Sequence, residues 1–509
     1  MTHQAATLPN DIDTAHRQIR EQAETLRQQA QLIAKLQHQL EQLLRQRYGQ
    51  KSEKSDPAQL LLFTQEIPTQ AEPAPSEIRS TDPAATKPKG HGRKPLPASL
   101  PRKRILHDVA LEDRACPECG DERRKIGEEV REQLDYVPAS LIVLQHVRPK
   151  YACKSCAAHV IIAARLPEPI EKGVPGTGLL AHLIVSKFLD HLPLYRLEGI
   201  FKRSGVDLSR SSMCDWLATS ASLLAPIVNR MSDEVRKSNI IQTDDTTVPV
   251  QDKSRDKTKT GRLWTYLGDR NHPYIVYDYT PDRSRHGPEE FLKEYTAGYL
   301  QSDAYAGYNG LHNRGIIEVG CWAHARRKFH EARTSDPARS HAALAWISLL
   351  YDVERSAKEQ GFTDDARLSL RLKKSGPILE SLANWFETER TQVLPKSPMG
   401  EAISYARSNW IALNRYLETG ALEIDNNASE RALRTVALGR KNWLFAGSDA
   451  GGKTAATLIS LCMTCKSLDV EPWAYLRDIL DRISTHPNSR IAELLPDHWK
   501  AAKSSDRTE

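Results

Sequence analysis

The chain has 509 residues, of which 39% are hydrophobic and 27% are charged, and its 71 lysines and arginines outnumber its 65 aspartates and glutamates. This length allows several domains, and a net charge of +6 is compatible with a polyanionic partner without establishing one. The first 13 residues are polar, and no stretch approaches the ~18–20 apolar residues of a membrane span. The sequence therefore predicts a cytoplasmic protein with no membrane partner.

Residues 11–47 have the clearest periodic pattern of the chain. Ile12, Ile19 and Leu26 are spaced seven residues apart, and the spacing continues to Ile33 and Leu40. A heptad stripe of this kind favours a parallel coiled-coil dimer. A single amphipathic helix packed on the same chain would give the same pattern.

The next segment, residues 49–105, is rich in proline. Eight prolines lie between Pro68 and Pro101, which indicates an extended linker rather than a packed unit. Its second half is basic, with Lys87–Lys94 as the densest part. This half either lies in an A·T-rich minor groove or is only a solvated tether.

Residues 106–172 contain two pairs of cysteines, each with two residues between its members. Four thiolates from two such pairs suit a closed, tetrahedral zinc site, and disulfides are disfavoured in a cytoplasmic protein. The intervening segment, Gln133–Val147, has the composition of hairpin strands. We predict a zinc ribbon with one structural Zn²⁺, with reduced free thiols as the alternative. The predicted ligands are Cys116, Cys119, Cys153 and Cys156.

A helix-turn-helix pattern follows. Leu194–Arg203 is predicted as a helix, and Ser209 is placed to cap a second helix over Arg210–Thr219. Arg210 and Ser211 would then lie at the N-terminus of the second helix, where bases or phosphates are usually contacted. A plain helical hairpin is an equally good interpretation of this pattern alone.

Two aspartates each follow an apolar, strand-like run. Asp244 follows Ile240–Thr243, and Asp303 follows Gly298–Ser302. Three strands, a helix and a fourth strand, with acids on the first and fourth, are the arrangement of a ribonuclease-H-like sheet. The intervening predicted elements are the strands Gly261–Gly268 and Tyr274–Tyr279 and the helix Glu289–Tyr295.

Glu430 supplies a third carboxylate, on a later predicted helix where it shares one face with Leu433 and Arg434. Two strand-end aspartates and a helical glutamate suit a two-metal phosphoryl-transfer site, because Mg²⁺ prefers carboxylate oxygens and keeps positions for water and phosphate. Glu430 lies 430 − 303 = 127 positions after Asp303, which is too far for a loop. We predict an all-helical insertion there, with helices at Ala342–Gln360, Ala366–Ser375, Ile378–Glu389 and Gly400–Leu417.

Several motifs occur in the order expected of one family. They are Thr243–Thr246, Gln301–Tyr305, Gly320–Phe329, Asp425–Arg431 and Arg440–Ser448. With them the chain resembles the insertion sequence 66 family of bacterial DDE transposases over nearly its whole length. One departure is local: the family commonly has Asp-Glu-Thr where this chain has Asp244-Asp245-Thr246.

The resemblance implies that Asp244, Asp303 and Glu430 are the catalytic ligands of two Mg²⁺ ions. It also implies self-association through residues 11–47, DNA-end binding by the zinc ribbon and helix-turn-helix, and accessory proteins encoded by the same element. A metal role for His324 is not expected. The supporting residues are Asp245, Cys321, His324, Asn426 and Asn427. The predicted DNA contacts, for which ordinary surface charge is the alternative, are Arg210, Ser211, Arg326, Arg327, Arg431, Arg434, Arg440 and Lys441.

Two further features are expected to be structural only. Gly447–Thr454 fits a phosphate-loop pattern, but the 55 residues after Thr454 leave no room for the acidic strand that such a fold needs. Cys462 and Cys465 lie in an apolar helical run, and Cys214 is isolated. We predict that all three thiols are buried.

The predicted fold is multidomain α+β. A ribonuclease-H-like α/β core carries an all-helical insertion and is preceded by the coiled coil, zinc ribbon and helix-turn-helix. The predicted segments are coiled coil 1–48, linker 49–105, zinc ribbon 106–172, helix-turn-helix 173–232, core 233–330, insertion 331–420, core 421–468 and helical tail 469–509.

The predicted function is a DDE transposase that cleaves transposon 3′ ends and joins them to target DNA. The double-stranded DNA partners are the inverted repeats and the target. Within a bacterium the protein would lie in the cytoplasm, with the nucleoid when bound to DNA. Two alternatives remain: a DNA-binding regulator, and a ribonuclease-H-fold nuclease that cuts without joining.

Overall fold

The computed structural model describes residues 168–505 apart from 171–173, 253 and 255, together with 16, 21–27, 29, 141–146, 150–151 and 161–162. Most of the predicted coiled coil, the linker and all four zinc-pair cysteines lie outside the described residues, although residues 21–27 are helical as predicted. Strands β1 (Lys150–Tyr151) and β2 (Ile161–Ile162) pair antiparallel. Residues 141–146, predicted as part of a hairpin, are neither helix nor strand.

Between residue 174 and the main sheet the structure describes three helices: α1 (Thr177–Phe188), α2 (Leu194–Arg203) and α3 (Arg210–Arg236). Helix α2 has the predicted bounds. Helix α3 begins as predicted, because the Ser209 hydroxyl accepts a hydrogen bond from the Ser212 amide at 3.1 Å.

Helix α3 extends far beyond the predicted end at Thr219, because its apolar face continues into the core. The buried continuation is Leu224, Ile227, Met231 and Val235. Cys214 is on the solvent side of this helix, so its predicted burial was wrong.

The central sheet has five strands, β3 (Ile240–Val250), β4 (Lys259–Leu267), β5 (Ile275–Thr280), β6 (Tyr299–Gln301) and β7 (Ile317–Val319). Their spatial order is β5-β4-β3-β6-β7. Strands β3, β4 and β5 are antiparallel neighbours, whereas β6 and β7 run parallel to β3. The chain is therefore mixed α+β, as predicted. The short helices α4 (His286–Phe291) and α5 (Asn309–His312) flank β6 in sequence.

The region between β7 and Glu430 is helical, as predicted, and has its own apolar core. Its helices are α6 (Trp322–Glu331), α7 (Pro337–Glu359), α8 (Asp364–Glu389), α9 (Pro398–Ser408) and α10 (Trp410–Asn414). Phe329 and Phe386 stack at its centre with ring centroids 5.6 Å apart. Helix α8 passes through Pro377, where two helices were predicted, because its buried face continues from Ser375 to Leu379 and beyond.

Four helices complete the chain: α11 (Asn427–Trp443), α12 (Asp449–Ser467), α13 (Pro472–Arg482) and α14 (Pro496–Ser505). Helix α12 crosses β5, and a Cβ on Gly452 would lie 2.5 Å from the Tyr279 ring, so only glycine allows this approach. Cys462 and Cys465 are buried, as predicted.

The pattern at Gly447–Thr454 forms no phosphate loop. Ser448 caps α12 by accepting a hydrogen bond from the Gly451 amide at 3.1 Å, so the positions that would wrap a phosphate are already helical. In the part of the chain that the structure describes, no helix is long and apolar enough to cross a membrane.

Candidate active site

Asp244 and Asp303 belong to two neighbouring parallel strands, Asp244 within β3 and Asp303 just after β6. Gln242 of β3 pairs in register with Gln301 of β6, and each aspartate lies two residues beyond one of these glutamines. Side chains two residues apart on a strand share a face. The Gln242 Nε2 atom donates to Gln301 Oε1 at 3.0 Å, which shows that this face is common to both strands. Asp244 therefore lies in the middle of β3, not at the end of a strand as predicted, and Asp303 lies two residues beyond the end of β6.

Glu430 lies in the first turn of α11, and three hydrogen bonds hold this helix on the sheet. The Asn426 Nδ2 atom donates to the Thr243 carbonyl at 3.4 Å. The Tyr277 hydroxyl donates to the Ala432 carbonyl at 2.8 Å. Near the other end, Arg440 donates to the Thr247 carbonyl at 2.6 Å. The start of α11 is thus fixed beside Thr243 in β3, the residue before Asp244.

Gln301 connects the two aspartate strands to the segment that leads to Glu430. Its side chain is completely buried. While its Oε1 accepts from Gln242, its Nε2 donates to the Glu423 carbonyl at 2.7 Å. The side-chain amide of Gln301, a residue of β6, therefore bonds both to β3 and to the segment just before α11.

The electrostatics show that the three acids are neighbours. Burial raises the pKa of Asp244 to about 7, and the charges of Asp303, Asp245 and Glu430 add to the increase, against a hydrogen bond from the Asp245 amide. Asp244 forms no ion pair with any residue that the structure describes. A carboxylate in this position lacks a compensating cation.

The donor set fits Mg²⁺, which takes carboxylate oxygens. A divalent cation would relieve the repulsion that raises the pKa of Asp244. Among the described residues, however, no three His, Cys, Asp or Glu side chains are grouped as closely as a formed metal site requires. The three acids are neighbours, but their side chains are farther apart than the ligands of a bound metal ion would be.

His324 and Arg327 of α6 approach Glu430 from the helical region. His324 Nδ1 lies 3.7 Å from Glu430 Oε1, and Arg327 lies 4.0 Å from the same oxygen. Burial lowers the pKa of His324, whereas Glu430 and Asp303 act to raise it, so the imidazole is neutral at pH 7. Its Nδ1 has no hydrogen-bond partner in the described part of the chain.

The residues around this histidine are structural. Cys321 is buried, its sulfur accepts from the Asn426 amide at 3.4 Å, and burial raises the pKa of its thiol to about 12. Asn427 donates to Asp425 at 2.6 Å, and Asp425 also accepts from the Tyr351 hydroxyl at 2.9 Å. These bonds tie the N-terminus of α11 to α6 and α7.

A second cluster beside the acids was missed in the sequence. The Asp245 side chain is only 2% exposed and pairs with Arg262 at 2.7 Å and with Arg283 at 2.9 Å. Arg283 also lies over the Tyr305 ring, 4.2 Å from its centroid, and its NH2 is 3.8 Å from Asp303. Arg283 has no motif around it. The only sequence feature that could have indicated its role is its position in the loop after β5, because β5 lies next to β4.

The predicted DNA contacts are placed in different ways. Arg431, Arg434 and Lys441 are exposed on α11, whereas one nitrogen of Arg440 is bonded to Thr246 and Thr247. On α3 and α6 the predicted residues lie at helix surfaces, with Arg210 paired to Glu198 at 3.1 Å and Ser211 bonded to Ser209. Arg326 is half-buried and Arg327 is exposed.

Comparison with known protein families assigns every large part of this chain. Residues 172–454 match the family described as Transposase IS66 family, and residues 113–157 match the zinc-finger binding domain of transposase IS66, a range that includes all four paired cysteines. Residues 35–105 match Transposase C of IS166 homeodomain, and residues 460–496 match the IS66 C-terminal element.

The chain is also similar to uncharacterized proteins of Sinorhizobium fredii. It is 35% identical to y4hP over 441 residues, which are 81% of this chain and 78% of the relative. It is 37% identical to y4qI over 431 residues, which are 80% of this chain and 79% of the relative.

These matches define the class of protein as a DNA transposase, with DNA as its partner. More particularly, the chain belongs to the IS66 transposase family, as its sequence motifs predicted.

Proposed function

We propose that this transposase cleaves the 3′ ends of its element and joins them to target DNA at a site formed by Asp244, Asp303 and Glu430. The observation that carries the proposal is the register of β3 and β6, which pairs the residues that lie two positions before Asp244 and Asp303. The strand order, with β3 central and acids on β3, after β6 and on a later helix, supports the proposal of a ribonuclease-H-like core.

The three acids are the ligands for two Mg²⁺ ions, which when bound would lower the pKa of water and offset charge on the phosphoryl group. Asp244 and Asp303 hold one edge of the site on the sheet, while Glu430 closes it from α11. Neutral His324 retains a lone pair or a proton at Nδ1 that is available to Glu430 or to a water molecule. Arg327 adds positive charge on the same side.

Arg283 orients the scissile phosphate. Its guanidinium is fixed by buried Asp245 and by the Tyr305 ring, so little side-chain freedom is lost when it contacts DNA. The 3.8 Å approach to Asp303 places it at the edge of the acids. A planar, doubly donating guanidinium suits a phosphate oxygen pair.

The reaction has two steps that need no covalent protein intermediate. Water attacks the phosphorus at the element end, the bond to the 3′ oxygen breaks, and that oxygen leaves as a 3′-hydroxyl. The hydroxyl then attacks a phosphorus of target DNA, forming a new phosphodiester and releasing the 3′ oxygen of the target strand.

The remaining parts of the chain select and gather the DNA. Residues 106–172 would hold one Zn²⁺ through the four paired cysteines, and residues 173–232 would bind the inverted repeat with Arg210 and Ser211. Residues 11–47 would join two copies of the chain, and accessory proteins of the same element would assist. The site of action would be the bacterial nucleoid.

The test is a Mg²⁺-dependent reaction of the full-length protein with labelled DNA carrying the inverted repeats that flank its gene. Wild type is expected to nick and join, and Glu430→Gln to do neither while still binding the ends. Glu401→Gln is a matched control, because Glu401 is an exposed glutamate in the first turn of α9.

Each alternative has its own outcome. Nicking without joined product would favour a nuclease, and end binding without any product, even after the neighbouring gene products are added, would favour a regulator. Equal activity in wild type and Glu430→Gln would contradict the assignment of the third acid.

A further inference from the structure

The exposed face of α11 forms a basic track that begins beside Glu430. Exposed side chains recur every three or four residues along the helix, and they are Arg431, Arg434, Leu438 and Lys441. The buried residues lie on the opposite face and pack on the sheet: Ala432, Leu433, Val436 and Gly439. Three of the four exposed residues are cationic, so this face complements a polyanion.

At the end of the track the backbone makes a strained turn. Leu444 has φ 63° and ψ −51°, and the Phe445 amide donates to the Trp443 carbonyl at 2.7 Å. This is a γ-turn with positive φ, the rarer and more strained of the two γ-turns. The turn leaves Leu444 62% exposed and Phe445 44% exposed. We call these two residues the apolar tip.

Both sides of the apolar tip are anchored, so the turn cannot relax. Trp443 packs so closely on α11 that a Cβ on Gly439 would lie 2.6 Å from its indole nitrogen. On the other side, Ala446 bridges the end of β3, donating to Pro249 at 2.9 Å and accepting from Gln251 at 2.8 Å. The fold therefore holds Leu444 at positive φ and leaves much of both apolar side chains in solvent.

We propose that the apolar tip inserts into the base stack of the duplex that lies along the α11 track. This deepens the proposed function and rests on it. Leucine and phenylalanine are among the side chains that wedge between base steps, and the cations beside them contact phosphate.

The placement agrees with the geometry of DNA. The tip is 444 − 430 = 14 residues beyond Glu430, or ~21 Å along a helix. That length corresponds to about six base pairs from the scissile phosphate in B-form DNA. The nearby Asp449 does not repel phosphate, because it is paired with Lys259 at 2.6 Å. A second copy of this chain is the competing occupant, but a cationic face disfavours self-pairing.

The test measures unstacking without chemistry. Full-length protein is mixed, in EDTA, with inverted-repeat duplexes that carry 2-aminopurine at successive positions around six base pairs from the cleavage site. Wild type is expected to raise the fluorescence at one step, because 2-aminopurine brightens when it is unstacked. Phe445→Ala and Leu444→Gly are expected to lose this signal and to weaken end binding about tenfold. Phe445→Leu, which keeps an apolar wedge, is expected to retain both.

A matched control and a rescue make the test specific. Leu372→Ala changes a leucine of similar exposure on α8 and is expected to alter neither readout. A mismatch at the responding step lowers the cost of unstacking, so it is expected to restore much of the affinity that Phe445→Ala loses.

Two results would overturn the proposal. One is wild-type end binding with no fluorescence change at any step, which leaves the transposase assignment intact. The other is a change of oligomeric state in Phe445→Ala, by analytical ultracentrifugation, with DNA distortion unchanged. If wild type gives the fluorescence signal but shows no Mg²⁺-dependent cleavage, that result counts against the proposed function alone.

Discussion

Two clusters of buried charge in this protein are built in opposite ways. In the helical region Arg371 is completely buried and forms a fork with Glu354 at 2.7 and 2.8 Å. Arg367 pairs with the same glutamate at 2.6 Å and with Glu423 at 2.7 Å. Arg371 also donates to the carbonyls of Tyr416, Thr419 and Leu422. Every charge in this cluster is compensated.

At the sheet, by contrast, Asp244 has no cationic partner among the described residues and faces three other carboxylates. A compensated cluster fixes structure, whereas an uncompensated one raises the energy of the folded protein until a cation arrives. The difference indicates which buried charges serve the scaffold and which are reserved for a ligand.

The largest effect is expected at the uncompensated cluster. Asp303→Asn should abolish nicking and joining, because it removes a metal-binding carboxylate, while end binding stays unchanged. A gel-based cleavage assay measures nicking and joining, and a mobility-shift assay measures end binding. Asp365→Asn, an exposed aspartate of α8, is the control. Loss of binding together with chemistry would contradict the role assigned to Asp303.

At the compensated cluster the expected effect is on stability instead. Arg371→Leu leaves Glu354 short of a partner and three carbonyls without a donor, which should lower the free energy of unfolding by about 3–5 kcal/mol. Urea unfolding measures it. Arg371→Lys keeps the charge without the fork and should fall between wild type and Arg371→Leu. If Arg371→Leu unfolds at the same urea concentration as wild type, the compensated cluster does not stabilise the fold, and the contrast with the uncompensated cluster is wrong.

The pKa of Asp244 predicts a pH dependence of the metal-free protein. Since the folded pKa of about 7 is above the ordinary value of 3.8, the folded state binds the proton more tightly, and stability falls as pH rises between these values. Asp244→Asn should remove this loss, stabilising the metal-free protein at pH 8 by about 2–4 kcal/mol and leaving it unchanged near pH 3.

Melting curves at both pH values, with and without Mg²⁺, check this prediction. Mg²⁺ should raise the melting temperature of wild type at pH 8 and have little effect on Asp244→Asn. A variant less stable than wild type at pH 8 would show that Asp244 is already compensated.

The smallest effect is expected at Arg283. Arg283→Ala should slow cleavage by about 10–100-fold with little change in end binding, since it removes one oriented donor from a partly exposed site. Asp245→Asn should act in the same direction through Arg283, and Arg283→Lys should recover part of the rate. A neutral methylphosphonate at the scissile position should shrink the difference between wild type and Arg283→Ala. If the rate difference between wild type and Arg283→Ala is the same on the methylphosphonate DNA as on ordinary DNA, Arg283 does not contact the scissile phosphate.

The acids were predictable because each is attached to a local signal. Asp244 and Asp303 each follow an apolar, strand-like run in the sequence, although β3 continues past Asp244 to Val250, and Glu430 lies at a helix start within a recognisable motif. Arg283 was not predictable, because its position depends on the pairing of Asp245 with a loop 38 residues away. Long-range contacts of this kind leave no periodicity in the sequence.

The errors in the fold have similar causes. Two helices were predicted on either side of Gly376-Pro377, but burial of Leu379, Leu382 and Phe386 outweighs the local helix-breaking tendency. The helix α3 was predicted too short because the turn signals mark only its beginning. In both cases tertiary packing decided where the helix ends.

The Gln301 amide has a consequence for the timing of activity during synthesis. Because its second hydrogen bond goes to the Glu423 carbonyl, the Gln301 side chain is fully bonded only after the whole helical region has been synthesised and has folded back onto the sheet. A nascent chain that ends before this point has both aspartates but no third acid and no closed site. On the proposed assignment of the third acid, such a nascent chain could bind DNA through residues 106–232 but would not cleave it.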